Sequence, residues 1–176
     1  RVRIRAARWR IPPESWEGRA EANCFKPYCS RSSYARFLVA VFSVPQISVR
    51  PDRVPEAHRA MLRHYLALME QLQGVLTAPL RAEAPHLLYP LVRARKDDTE
   101  VIVCYDADQV VCLSDAARTY VFNATGAEKL LLHGTNVVYR VYDCLGREGK
   151  RGETAQAYAE AAIPSGGYAV LKTEGR

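Results

Sequence analysis

Hydrophobic positions change period near Pro79–Pro90. Before that boundary, residues 55–76 place Met61, Leu62, Tyr65, Leu66, Leu68, Met69, Leu72 and Leu76 at helical spacing, one broad apolar stripe. Pro55 suits a helix start because its missing N–H has no partner to lose, and Glu56 complements the positive end of the helix dipole. Gly74 interrupts the pattern and Pro79 ends it. From Leu87 the pattern predicts short strands over residues 87–94, 100–105, 109–113, 119–123, 129–132, 137–143, 157–163 and 167–172. Turn chemistry separates them: Lys96-Asp97-Asp98, Asp106-Ala107-Asp108, Ala124-Thr125-Gly126, His133-Gly134 and Pro164-Ser165-Gly166-Gly167. Turn signals every eight to twelve residues or so predict a β-sandwich or barrel. The expected fold is therefore mainly β, an antiparallel β-sandwich preceded by one long amphipathic helix.

Residues 34–49 read differently. Phe37, Leu38, Val41 and Phe42 share a helical face, and Phe42-Ser43-Val44-Pro45-Gln46-Ile47-Ser48-Val49 reads as a short buried strand interrupted by proline. Residues 1–33 hold neither period and are expected to be poorly ordered. This gives three segments: a basic stretch 1–33, a helix–strand–helix stretch 34–79, and a β domain 86–176.

Charge sharpens that division. Residues 1–50 carry ten Lys/Arg against three Glu, a net +7, while residues 51–176 carry fifteen against sixteen, a net −1. The arm Arg1-Val2-Arg3-Ile4-Arg5, with Trp9 and Trp16 nearby, offers phosphate contacts and stacking rings, but no nucleic-acid motif accompanies it. No apolar run approaches the roughly 18 residues of a membrane span, and no signal peptide is read, so no membrane partner and a cytoplasmic setting are expected. Five cysteines at irregular spacing (24, 29, 104, 112 and 144) argue against a disulfide framework.

Candidate chemistry is sparse. Asp106 and Asp108 resemble a carboxylate pair, yet their place between two apolar runs makes a turn the better reading. His58 and His64 stand six apart and do not stack on one helix face. Asn123-Ala124-Thr125 matches a glycosylation sequon, read as a turn. There is no glycine-rich phosphate loop, nucleophile elbow or metal-ligand spacing, so no cofactor and no metal are expected.

Several stretches resemble, in order, the end of melibiase-type α-galactosidases. They are Phe42-Ser43-Val44-Pro45-Gln46-Ile47-Ser48, Pro55-Glu56-Ala57-His58-Arg59, Tyr89-Pro90-Leu91-Val92, Ile102-Val103-Cys104-Tyr105-Asp106, Tyr120-Val121-Phe122-Asn123-Ala124-Thr125-Gly126, Tyr139-Arg140-Val141-Tyr142-Asp143-Cys144-Leu145-Gly146, and Ile163-Pro164-Ser165-Gly166-Gly167-Tyr168. The resemblance covers residues 35–176. It implies a (β/α)8 barrel followed by a β-sandwich, with residues 34–79 the remnant of the barrel's end. It also implies a retaining glycoside hydrolase of carbohydrate metabolism that acts on α-galactosides. Gln46 and Ser48 would then be substrate-binding residues at the end of the last barrel strand. The two catalytic aspartates belong to earlier strands and match no position here. The chain is accordingly expected to be an inactive fragment whose partner is the rest of the barrel, with its helix stripe exposed and the chain prone to self-association. Two alternatives are a carbohydrate-binding sandwich using Tyr105, Tyr120, Tyr139, Tyr142, Tyr158 or Tyr168, and a nucleic-acid-binding protein using the basic arm.

Overall fold

The computed structural model describes Leu38, Val41, Phe42 and residues 55–83, 90–154 and 156–173. Gln46 and Ser48, the basic segment 1–33 and the strand expected over 42–49 lie outside the described residues, Phe42 aside.

Among the described residues, the helix α1 (Glu56–Leu76) precedes ten strands. These are β1 (Leu80–Glu83), β2 (Leu91–Lys96), β3 (Thr99–Cys104), β4 (Val110–Cys112), β5 (Arg118–Asn123), β6 (Leu130–His133), β7 (Val137–Tyr142), β8 (Glu148–Thr154), β9 (Tyr158–Ala161) and β10 (Tyr168–Thr173). A seven-stranded sheet in the order β1-β2-β3-β5-β10-β7-β8 faces a three-stranded sheet β4-β6-β9. The expected mainly β architecture with a preceding helix is present. Its sheets are mixed rather than wholly antiparallel, because β3 pairs parallel to β5 and β4 parallel to β6. The cause is topological: β4 leaves for the small sheet, so β5 returns alongside β3 in the same direction.

The large sheet has two apolar faces. Val101, Val103, Tyr120, Phe122 and Tyr168 pack on one side with the helix, and Ile102, Cys104, Val121, Ala169 and Leu171 pack on the other with the small sheet. The central strands β3 and β5 are therefore almost continuously buried, as strands covered on both sides must be. This corrects the expectation of an exposed helix stripe. Met61, Tyr65, Leu68, Leu72, Val75 and Leu76 are buried in one cluster with the sheet residues and with Leu38 and Val41, so the chain itself covers them. Leu66 alone of the stripe faces solvent, at 39% exposure. Each buried aliphatic contributes about 2 kcal/mol, more than the exposed Arg59–Glu56 pair at 2.5 Å can add. Packing, not surface charge, holds the helix. It ends where Thr77 turns back, its N–H donating to the Gln73 carbonyl at 3.1 Å. Gly74 lies inside the helix and does not interrupt it.

Candidate functional site

Among the described residues, a set of stacked and hydrogen-bonded side chains joins α1 to the mouth of the large sheet. Residues Tyr142, Tyr168 and Phe122 occupy one register row across β7, β10 and β5. Their rings stack, with centroids 5.0 Å apart for Tyr142–Tyr168 and 5.3 Å for Phe122–Tyr168. His64 lays its ring over Tyr168, with centroids 5.7 Å apart and Nε2 3.2 Å from the phenol oxygen. Tyr65 beside it donates its hydroxyl to the Gly166 carbonyl. Gly146, at φ +76°, backs onto the His64 imidazole so closely that a Cβ there would collide with the ring.

The electrostatics are those of a half-buried junction. Burial pushes the His64 pKa below its ordinary value, and the Asp143 carboxylate partly opposes that shift. Burial also raises the Tyr168 and Tyr105 hydroxyls, so both stay protonated. Asp143 itself caps its loop, accepting from the Leu145 and Arg147 N–H groups at 2.8 and 2.9 Å.

A second polar centre closes the same end of the sheet. Asn123, fully buried, donates to the Ala127 and Ile163 carbonyls at 2.8 Å each. Its Oδ1 accepts from the Thr125 N–H at 2.9 Å and the Thr125 hydroxyl at 2.7 Å. The sequon is thus a buried clasp that holds the turn before β10, with no free amide for a glycan.

A third centre bridges the two sheets. Arg93 on β2 lies 2.8 Å from Glu83 and 3.3 Å from Glu100, and donates to the Cys112 carbonyl of the small sheet at 3.1 Å. Glu100 also accepts from the Ser114 hydroxyl at 2.7 Å. The sequence reading missed this cluster. The available signal was Arg93 within Leu91-Val92-Arg93-Ala94, where a charge inside an apolar run requires a partner.

The other sequence candidates do not converge. Asp106 and Asp108 form the expected turn, Asp106 Oδ1 accepting from the Asp108 N–H at 3.1 Å. His58 is buried on the inner side of α1, and His133 stacks on Tyr158 at 4.5 Å on the outer face of the small sheet. Cys104 and Cys112 are free thiols, and burial pushes Cys104 up to about 12. Among the described residues, no group of three or more His, Cys, Asp or Glu is placed to hold a metal ion, and no helix is long and apolar enough to cross a membrane.

No family model, curated protein or solved structure matches this chain. Fold and clusters together define a class, a helix-backed two-sheet β domain, whose buried polar groups fix turns and sheet contacts.

Proposed function

We propose that this chain is the C-terminal portion of an α-galactosidase-like glycoside hydrolase, a helix–sandwich unit that braces a catalytic barrel and does no chemistry of its own. The observation that carries the reading is where the resembling stretches fall. Ile102-Val103-Cys104 lies in β3, Tyr120-Val121-Phe122-Asn123 in β5, Tyr139–Tyr142 in β7, and Ile163–Tyr168 forms the turn clasped by Asn123. The residues that carry the resemblance are thus those that build the core and its clasp. Covering of the helix stripe by the sheet removes the exposed stripe as support for a missing scaffold, so the reading rests on motif order alone. Bracing would use the outer side of α1, where Arg63 and Leu66 face solvent. Gln46 and Ser48 belong to this reading as substrate contacts in the whole enzyme, and a cytoplasmic setting fits the free thiols.

The DNA upstream of the Arg1 codon tests it. The reading expects a frame that encodes barrel strands with two catalytic aspartates, and no nitrophenol release from an aryl α-galactoside by this chain alone. Turnover by the chain, or upstream coding sequence without a barrel, overturns it.

One observation favours a second reading, a carbohydrate-binding module. Tyr158 is 57% exposed and stacked on His133, a flat platform of the kind sugars pack against. Tyr120 and Tyr168, by contrast, are buried in the core. A galactose titration that leaves the Tyr158 ring resonances unmoved removes this reading. The nucleic-acid alternative rests on the basic arm, outside the described residues.

A further inference from the structure

The helix crosses the large sheet obliquely. His64 rests on Tyr168 at one end of β10, and Gly74 sits beside Lys96 at the opposite end of β2. Among the described residues, α1 leaves one corner of that sheet face, over β5, β10 and β7, uncovered. By strand alternation, Arg118 shares the face of Tyr120 and Phe122, Lys172 that of Tyr168 and Val170, and Arg140 that of Tyr142. All three cations are exposed. Arg118 and Lys172 are direct cross-strand partners, and Arg140, opposite Val170, is diagonal to Lys172. Paired positions lie about 5 Å apart and diagonal ones about 7–8 Å.

Like charges set directly opposite one another weaken a sheet. Among the described residues, no ion pair relieves these three. Nearby, Arg151 opposes Arg140 but is tied to Glu148 at 2.7 Å, and the exposed Glu153 opposes Val138, two strands from Lys172. Among the described residues, the edge-strand Arg151 has an acidic partner and this triad has none. The geometry points to the Arg118–Lys172–Arg140 corner as a docking surface for a carboxylate-rich segment of a partner protein.

Charge selects that occupant. Residues 51–176 carry a net −1, near neutrality, so they offer a long polyphosphate no broad attraction to extend its contact beyond this corner. A nucleic-acid strand is held by a basic groove that tracks its backbone, whereas three cations spanning two strand spacings match a few clustered Asp or Glu side chains. This inference stands apart from the accessory-domain reading.

Fluorescein-labelled hexaglutamate, titrated with the full chain at low and at moderate salt, tests it. The expected result is saturable, salt-sensitive binding that weakens about tenfold or more in the Arg118→Gln/Lys172→Gln/Arg140→Gln variant, while that variant's thermal midpoint stays equal or rises as repulsion is relieved. Any of four results overturns the proposal. They are no saturable binding at low salt, undiminished binding by the variant (which assigns the peptide to the basic first third), tighter binding of an oligothymidylate of equal charge, or a lowered thermal midpoint, which makes the cations structural.

Discussion

The imidazole of His64 meets the Tyr168 hydroxyl at 3.2 Å across 104 positions of chain, and this contact pins α1 to the mouth of the large sheet. Four groups face the ring: the Tyr168 hydroxyl, the edge of Tyr65, the Gly146 backbone and the Asp143 carboxylate. Burial lowers the folded-state pKa below the ordinary 6.5, so the unfolded chain takes up the proton more readily. The stability His64 contributes is then full above pH 6.5 and is lost as pH falls through the depressed folded value. Urea unfolding between pH 7.5 and 5 is expected to show stability declining over that window, with a flatter profile for His64→Gln. An identical slope in the variant would assign the decline to other groups.

Gly146 makes a related prediction. Its φ of +76° is the left-handed region that only glycine adopts freely, and the His64 ring occupies the place of a side chain. Gly146→Ala is expected to lose about 2–4 kcal/mol, combining backbone strain with displacement of the ring. In a His64→Ala background the steric part disappears. The double variant should therefore lose at least about 1 kcal/mol less than the sum of the singles. Strict additivity in denaturant midpoints would show that the ring is not packed on Gly146.

Much of this architecture is legible in the residues, and the exceptions have physical causes. Strands such as β3, β5 and β10 announce themselves because β-branched and aromatic residues run between turn signals. Strand β8, Glu148-Gly149-Lys150-Arg151-Gly152-Glu153-Thr154, gives no such signal. It is an edge strand with exposed charges, and one of its glycines makes room for the Tyr139 ring. Strand β1, Leu80-Arg81-Ala82-Glu83, is too short to show a period. The destination of the helix stripe was misread for a different reason. Periodicity reports that a face is buried, not against what, and Val101-Ile102-Val103 supplies two apolar faces that alternation alone does not distribute. Of the centres at the mouth, the Asn123 turn was legible as a turn. The His64–Tyr168 contact was not, since nothing local relates positions so far apart in the chain.

Asn123 is expected to be the most sensitive polar residue of the clasp. Its amide satisfies two carbonyls, and its oxygen accepts two bonds from Thr125, all in the dry end of the sandwich. Asn123→Ala strands those partners and should cost about 3 kcal/mol. Asn123→Asp keeps the acceptor but sets a carboxylate against the Ala127 and Ile163 carbonyls, and should cost at least as much. Equilibrium unfolding with far-UV circular dichroism measures both. A loss under about 1 kcal/mol would mean that water takes over the clasp.

Arg93 and Glu100 set the last expectation. Both side chains are almost wholly buried, at 10% and 3% exposure, and Arg93 also reaches Glu83 and the Cys112 carbonyl. Neither charge contributes much net stability while paired, because desolvation offsets attraction. Removing one partner is another matter. Arg93→Met leaves the Glu100 side chain in the core with only the Ser114 hydroxyl, and is expected to destabilise by about 3–5 kcal/mol. Glu100→Gln keeps the Glu83 contact for Arg93 and should cost less. The double variant Arg93→Met/Glu100→Leu removes the stranded charge and is expected to recover most of the loss. Urea denaturation of the four proteins at pH 7 reads the cycle directly. If the double variant proves no more stable than Arg93→Met, the two sheets are held together at this end by Arg93's packing and carbonyl contact instead of by charge compensation.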